Sequence, residues 1–127
     1  MEKVATKLSR SMGLPACPVE TTLLLIGSKW KVLILRDLAG GRRRFGELRR
    51  SLGGISQKVL TSNLREMEAD GLLTRTAYPE VPPRLEYELT PLGASLAPVL
   101  DALRDWGEGY QAANPERPLV ATASHYA

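Results

Sequence analysis

The 127-residue sequence has one cysteine, one histidine and no long apolar run. A single thiol, Cys17, cannot form a disulfide within the chain, which fits a reducing cytoplasm. The one histidine, His125, cannot supply a histidine-based catalytic triad or a metal cluster, and no glycine-rich phosphate loop follows a strand. We therefore expect no enzyme, no metal and no cofactor. The longest aliphatic run, Leu23–Ile26, is far shorter than the about 18 apolar residues of a membrane span.

The N-terminal segment also lacks the features of a signal peptide. Lys3, Lys7 and Arg10 interrupt the stretch in which such a peptide would have an apolar core of about 7–15 residues. The fractions of hydrophobic (43%) and charged (24%) residues are those of a folded domain. At about 150 residues per domain, the length predicts a single domain. We expect a cytoplasmic protein with no membrane contact.

Charge is unevenly distributed along the chain. Residues 29–65 contain ten basic and two acidic side chains (+8), whereas residues 66–111 contain three basic and nine acidic ones (−6). Residues 1–28, with three basic and two acidic side chains, add +1, and residues 112–127 add zero, which gives the overall charge of +3. This division indicates one face for a polyanion such as nucleic acid. A merely solvated surface is the alternative.

Apolar spacing and capping residues predict a series of short helices in the first 70 residues. Ser28 is a suitable N-cap for one of them, and Gly40 and Gly41 end it. The predicted helices cover residues 3–12, 18–26, 29–39, 45–52 and 56–70.

The helix predicted over residues 56–70 is the most informative for function. Leu60, Leu64 and Met67 share one face at 100° per residue, and Gly71 supplies a left-handed C-cap. The opposite face is polar, with side chains that can bond to base edges and phosphates in a major groove. The candidate DNA-binding residues of this helix are Ser56, Gln57, Lys58, Thr61, Ser62 and Arg65.

A β-hairpin follows. Residues 73–78 are rich in Thr and Tyr, and residues 84–89 alternate in polarity, whereas the proline-rich residues 79–83 between them predict a stiff tip. Three helices, a two-stranded hairpin and a last helix are the layout of a winged helix, a mainly α fold of the α+β class. The helices over 45–52 and 56–70 form its helix-turn-helix.

The last predicted helix begins after Thr90 and covers residues 91–113, with Pro98 expected to kink it near Ala94. Its large apolar residues are spaced 4, 3, 4, 3 and 4, a seam of nearly three heptads. One small domain cannot easily bury this seam, so we expect it to form a homodimer interface. Packing onto the same domain is the alternative. The seam consists of Leu92, Leu96, Val99, Leu103, Trp106 and Tyr110.

Further basic residues flank the predicted helix-turn-helix. Arg42, Arg43 and Arg44 precede its first helix and are expected to contact phosphates, which gives affinity and salt dependence rather than sequence choice. A solubility patch is the alternative for these three. Arg84, beside the hairpin tip, could reach a minor groove or the DNA backbone, and a structural role fits it equally well.

Six segments occur in an order that resembles a known family: CPVE at 17–20, LIGSKW at 25–30, RFGELR at 44–49, GISQKVLT at 54–61, LREMEADGL at 64–72 and YPEVPPRLEY at 78–87. The family is the HxlR-type winged helix-turn-helix transcription regulators of bacteria, in the MarR-like superfamily. The resemblance extends without gaps from Cys17 to about Tyr110. Ser28 departs from it, since the family is expected to have a second glycine there.

The resemblance implies a homodimer that binds operator DNA, with terminal helices building the dimer. It implies an arm or helix at 1–16, a DNA-binding domain at 17–90, a dimerisation helix at 91–113 and a flexible tail at 114–127. It also makes Cys17 a candidate sensor of oxidants or electrophiles, because some family members are thought to use a cysteine at this position. A small buried side chain is the bland alternative for Cys17.

The expected function is therefore that of a sequence-specific DNA-binding transcriptional regulator, more often a repressor in this family. Its partners would be double-stranded DNA and a second copy of the chain. The helix over 56–70 would enter the major groove of a palindromic operator whose half-sites are about 10 bp, or a multiple, apart. The sequence does not identify a small-molecule effector. The alternative function is a protein-interaction module that uses its basic face for an acidic partner.

Overall fold

The computed structural model describes residues 13–117, which fall into two compact units that divide between Ser95 and Leu96. The helix predicted over residues 3–12 and the sole histidine, His125, lie outside the described residues. Within residues 13–117, no helix is both long and apolar enough to cross a membrane.

The first unit begins with helices at nearly the positions that the sequence predicts. Two hydroxyl caps are confirmed: Ser28 Oγ accepts from the Lys31 amide at 3.2 Å, and Ser56 Oγ accepts from the Val59 amide at 3.0 Å. The side-chain caps satisfy amides that have no partner within the helix. The helices are α1 (Pro18–Ile26), α2 (Lys29–Leu38), α3 (Phe45–Ser51) and α4 (Gln57–Ala69).

Two glycines supply backbone conformations that the turns around α4 require. Gly54, between α3 and α4, has φ = +92°, and Gly71, just after α4, has φ = +81°. At the C-terminal end, the Leu72 amide donates to the Met67 carbonyl at 2.9 Å, the pattern expected of a left-handed glycine cap. The predicted C-cap at Gly71 is confirmed.

The sheet has three strands rather than the predicted two. In the order β1-β3-β2, it consists of β1 (Arg43–Arg44), β2 (Leu73–Tyr78) and β3 (Arg84–Leu89), all antiparallel. The sequence does not predict β1, because two residues are too short to show a period and its partner lies about 43 positions further along. The Val81–Pro82 peptide bond at the tip of the hairpin is cis.

One hydrophobic core lies between the helices and the sheet of the first unit. Its members come from the end of α1, from α2, α3 and α4, from the turns and from both long strands, and they include inward residues that the helical periods predict. Leu60, Leu64 and Met67, on the inward face of α4, are essentially inaccessible to solvent. The remaining buried apolar residues are Ile26, Ile34, Leu35, Leu38, Leu48, Leu52, Ile55, Leu72, Leu73 and Tyr87.

The prediction of one continuous helix over residues 91–113 is wrong. The structure has two helices, α5 (Pro91–Ala94) and α6 (Ala97–Ala113), where the sequence predicts one kinked helix. Pro98 has no amide to donate to the Ala94 carbonyl, and its ring would clash with that carbonyl, so the helix ends and restarts. Ser95 caps the end of α5, its amide donating to the Pro91 carbonyl at 3.0 Å.

The second unit consists of α6 and a short turn. Trp106 and Tyr110 stack one helical turn apart, with ring centroids 5.6 Å from each other. The Asn114 side chain donates to the Tyr110 carbonyl at 3.1 Å and ends the helix, and the Arg117 amide donates back to Asn114. The flexible tail predicted from residue 114 is thus a turn as far as residue 117, and its remainder lies outside the described residues.

Candidate nucleic-acid interface

A helix-turn-helix presents one helix at the surface of the first unit. Helix α3 and helix α4 are joined by a turn over residues 52–56 that contains Gly54. Leu48 in α3 and Leu52 at its end are buried with the apolar face of α4. This packing leaves the opposite face of α4 directed outward.

The outward face of α4 carries the polar side chains that the sequence predicts there. Gln57, Lys58, Ser62 and Arg65 are exposed, and Thr61 is half-buried beside them. Ser56 is exposed too, but its oxygen already accepts from the Val59 amide, so it has its hydroxyl proton left to offer. The face offers donors and acceptors at the spacing of successive helical turns.

A groove of about 630 Å³ separates α4 from the hairpin tip. Gln57, Thr61 and Arg65 line its helix side, Arg44 lies at the start of α3, and residues 80–84 form the tip side. Its lining contains four arginines and two glutamates together with apolar residues of the tip, and the net positive charge favours a phosphate-bearing ligand.

Arg42, a predicted phosphate contact, is ion-paired on the sheet. Its guanidinium group donates to Glu86 at 3.3 Å, to Glu88 at 2.9 Å and to the Tyr78 hydroxyl at 3.0 Å. Hydrogen bonds to Glu86 and Glu88 raise the pKa of Arg42 above its usual value. Arg42 therefore holds β1 against the hairpin, whatever else it contacts.

Arg44 is fixed in both backbone and side chain. Its amide donates to Glu47 Oε1 at 2.8 Å, which caps the start of α3. Its Nε lies 3.8 Å from Glu86 Oε2, the residue opposite it in the β1–β3 register. The side chain remains more than half exposed, so part of the guanidinium group stays accessible to a phosphate.

Arg84 occupies the base of the wing. Its guanidinium group stacks 4.1 Å above the Tyr78 ring and lies 3.1 Å from Glu80 and 3.4 Å from Glu86. These contacts support the structural role that the sequence leaves open for Arg84. They join both strands of the hairpin just below its tip.

Glu86 is a residue of the site that the sequence does not predict. Its carboxylate, in the middle strand, is approached by Arg42 and Arg44 from the segment before α3 and by Arg84 from its own strand. The sequence shows that Arg84, Glu86 and Glu88 alternate on one face of β3. It does not show that Arg42 and Arg44 lie beside this face. Part of the basic charge of residues 29–65 is therefore balanced by acidic residues of the second half.

Arg43 is the third of the consecutive arginines at residues 42–44. It lies opposite the buried Tyr87 in the β1–β3 ladder and is half-buried. Burial raises the pKa of the Tyr87 phenol above its usual value of 10.0, because the phenolate would lose its hydration. Arg42 and Arg44 are both exposed, so Arg43 is the least accessible of the three consecutive arginines.

Cys17 is exposed and lies at the N-cap position of α1. Its side chain makes no capping hydrogen bond, while its carbonyl accepts from the Thr21 amide at 3.1 Å. The alternative of a small buried side chain at Cys17 is therefore not what the structure shows. Within residues 13–117, no group of three or more His, Cys, Asp or Glu side chains could hold a metal ion.

The residues predicted for the dimer seam divide between the two units. Leu92 lies on α5 in the first unit and is exposed. Leu96, Val99, Leu103, Trp106 and Tyr110 belong to the second unit, where Leu103 is 51% and Trp106 73% exposed. Helix α6 considered by itself retains the 4, 3, 4 spacing from Val99 to Tyr110.

The first unit combines a helix-turn-helix, formed by α3 and α4, with a three-stranded antiparallel sheet, which is the arrangement of winged-helix transcriptional regulators and a DNA-binding fold. The HxlR-like helix-turn-helix family model matches residues 25–115, and the chain belongs to this family. The chain is 50% identical over 95 residues to the HTH-type transcriptional regulator YdeP of Bacillus subtilis, covering 75% of this chain and 74% of that one.

Two further similarities agree with this assignment. A regulator from Methanothermobacter thermautotrophicus is 51% identical over 94 residues, covering 74% of this chain and 72% of its own. The solved structure of the redox regulator HypR in its oxidized form superposes with a TM-score of 0.69 at 43% identity. That likeness covers 81% of this chain and all of HypR.

Proposed function

We propose that the protein is a homodimeric repressor that recognises a palindromic operator by inserting α4 into the major groove. The observation that supports this most directly is the outward face of α4, where Gln57, Lys58, Ser62 and Arg65 are exposed opposite a fully buried apolar face. A helix with these two faces can enter the groove while Leu60, Leu64 and Met67 stay in the core, and Val59 is the apolar residue of α4 that is exposed.

The side chains of this face would make two kinds of contact with DNA, to base edges and to phosphates. Gln57, Thr61 and Ser62 can donate to and accept from base edges, whereas Lys58 and Arg65 can bond to guanine or to phosphate oxygens. Arg44, anchored to Glu86 yet more than half exposed, would contact a phosphate at the start of α3. Arg42, Arg43 and Arg84 would add mainly electrostatic attraction.

Dimerisation would come from the terminal helices. An exposed Trp106 stacked on Tyr110, with Leu103 exposed one turn before, forms an apolar stripe on α6 that water does not favour. Pairing with a second copy through a two-fold axis would cover it. A two-fold symmetric dimer would read two half-sites about 10 bp, or a multiple, apart.

The test begins with selection of bound sequences from random duplexes, which gives the operator and its symmetry. The double variant Lys58→Ala, Arg65→Ala should lose the specific gel shift while keeping the dimer and the melting temperature. Operator affinity that survives in this variant would remove α4 from recognition. Absence of any DNA binding at low salt would instead favour an acidic protein as the partner of the basic face.

We further propose that Cys17 gives the regulator sensitivity to oxidants. Two observations support it: the thiol is exposed at the start of a helix, and HypR, which this chain resembles, is described as a redox regulator. Two Cys17 thiols of a dimer, oxidised by peroxide with loss of two protons and two electrons, would form a disulfide between subunits. The peroxide is reduced to two molecules of water in this step, and a mixed disulfide with a small thiol is the other disulfide that a single cysteine can form.

Operator binding measured before and after peroxide, and again after a reductant, tests this second proposal. The wild-type chain should change its affinity reversibly, and the Cys17→Ser variant should not. An equal response of both proteins to peroxide would show that Cys17 is not the sensor.

A further inference from the structure

An ion pair between a buried lysine and a glutamate that is 36% exposed connects helix α4 to the body of the domain. Lys31 is the one charged residue that is buried in the part of the chain that the structure describes. Its Nζ lies 2.6 Å from Glu66 Oε1. Lys31 belongs to the first turn of α2, and Glu66 to the C-terminal half of α4.

The position of Lys31 is unfavourable without such a partner. A cation in the first turn of a helix faces the positive end of the helix dipole. An ammonium group is also strongly hydrated, and burial of its charge is costly unless a carboxylate is close. The carboxylate of Glu66 compensates for both effects, so α4 is held where that carboxylate can reach Lys31.

Glu66 lies at the rim of the surface that we propose to read DNA. It follows Arg65 directly and lies one helical turn after Ser62. With Lys58, these residues line a shallow depression on the outside of α4. The ion pair therefore joins the rim of the recognition surface to the first turn of α2.

The apolar face of α4 is close-packed in the core through Leu60, Leu64 and Met67, and this packing sets the general position of the helix. The ion pair adds a directional contact in the C-terminal half of α4, beside the outward face. A short ion pair between two helices depends on distance and direction. A bidentate contact with a base edge depends on the same quantities, so a shifted α4 would lose base contacts before phosphate contacts.

We propose that the Lys31–Glu66 ion pair positions α4 and is a determinant of sequence specificity, although neither residue contacts a base. This inference rests on the proposed function, since it takes α4 as the helix that reads the operator. It assigns Lys31 and Glu66 a positioning role that affects the choice among DNA sequences rather than the attraction to DNA in general.

The double variant Lys31→Met, Glu66→Gln tests this role. It removes one positive and one negative charge, so the net charge is unchanged, and the affinity for random duplexes measures any change in the general attraction to DNA. The new side chains are close in size to the old ones, and replacement of a buried ion pair by neutral residues often preserves stability. The ratio of operator affinity to random-duplex affinity at one salt concentration should fall about tenfold, as expected for one misaligned base contact. Random-duplex affinity should not change.

The chain offers a matched control on the same helix. Glu68 of α4 and Arg75 of β2 form a longer pair at 3.8 Å, and both side chains are more than 40% exposed. The variant Glu68→Gln, Arg75→Gln is also neutral in net charge. Both residues also line the groove between α4 and the hairpin tip, so operator and random-duplex affinity can change together in this variant. Because an exposed pair at this distance constrains α4 little, the ratio of the two affinities should stay close to that of the wild type.

A charge-swapped variant, Lys31→Glu with Glu66→Lys, provides a second test if the neutral variant has a lower melting temperature than the wild type. The swap restores an ion pair and places a carboxylate at the favourable end of α2. The logarithm of the ratio of operator to random-duplex affinity should regain at least half of what the neutral variant loses. An unchanged ratio in the neutral variant, an equal loss in the Glu68 control, or no recovery in the swap would overturn the inference. A wild-type protein that prefers no sequence at all would overturn the proposed function as well.

Discussion

The guanidinium Nε of Arg44 lies 3.8 Å from Glu86 Oε2, directly across the ladder between β1 and β3. Arg42 and Arg84 approach the same carboxylate, at 3.3 Å and 3.4 Å. Glu86 thus ties the segment before the helix-turn-helix to the base of the wing. Because its side chain is only 13% exposed, these contacts are less screened by water than ordinary surface pairs.

This role predicts that Glu86→Gln will destabilise the fold by about 1–3 kcal/mol, the range for hydrogen bonds to charged groups. The variant keeps the size of the side chain and one acceptor but removes the charge that three arginines share. Urea unfolding at neutral pH gives the measurement. The matched control is Glu88→Gln, which loses the same charge from the same strand but at a side chain that is 53% exposed.

For the Glu88 variant we expect a loss below about 1 kcal/mol, the usual size for an exposed pair. Both variants gain one unit of positive charge, so both should bind random duplexes more tightly at low salt. Equal destabilisation of the two variants would show that Glu86 is not the centre of the cluster.

The helices of the first unit could be predicted from sequence because their signals are local. Ser28 and Ser56 cap helices where the residue types indicate, and Gly71 takes the left-handed conformation that the end of α4 requires. The exposed positions of Lys58 and Arg65 follow from the helical period alone. Recognition-helix residues therefore belong to the predictable part of the candidate site.

The contacts of the basic residues could not be predicted, because they join distant parts of the chain. Arg42 and Glu88 are 46 positions apart, and no spacing rule connects them. Lys31 and Glu66 are a similar case, since a lysine in a first turn reads as an exposed residue. Charge counts along the sequence indicate a basic segment but not which of its members are already paired.

Ser56 and Ser62 provide a comparison between a capping and a recognition serine on one helix. Ser56→Ala removes the acceptor for the Val59 amide and should cost about 1 kcal/mol of stability. Ser62→Ala replaces an exposed mid-helix residue, so stability should be unchanged or slightly higher. Operator affinity should fall for Ser62→Ala. Thermal unfolding and a binding titration on both variants measure the two effects, and a stable Ser56 variant would contradict the assigned cap.

Gly93 should not accept a side chain. A Cβ built there would overlap the backbone carbonyl oxygen of Leu72, which belongs to the junction between α4 and β2. Gly93→Ala should therefore destabilise the first unit by more than about 1 kcal/mol, since the backbone must move. Gly107→Ala on α6 is the control: a Cβ there meets nothing within 4 Å, and the helix should gain about 0.5–1 kcal/mol. Opposite shifts in melting temperature are expected, and shifts of the same sign would contradict the packing at Gly93.

The buried Tyr87 predicts a loss of stability in alkaline solution. Burial raises the pKa of its phenol above 10.0, so the folded state holds this proton more tightly than the unfolded state does. The stabilisation is complete below pH 10 and declines as the pH rises from 10 through the folded-state pKa, because the unfolded chain ionises first.

The variant Tyr87→Phe tests this prediction, because it has no group that ionises at this position. The difference in unfolding free energy between wild type and Tyr87→Phe, measured in urea from pH 8 to 11, should be constant up to about pH 9.5 and then move in favour of the variant. Lysine titration affects both proteins and cancels in this difference. A difference that stays flat to pH 11 would mean that the phenol ionises equally in both states.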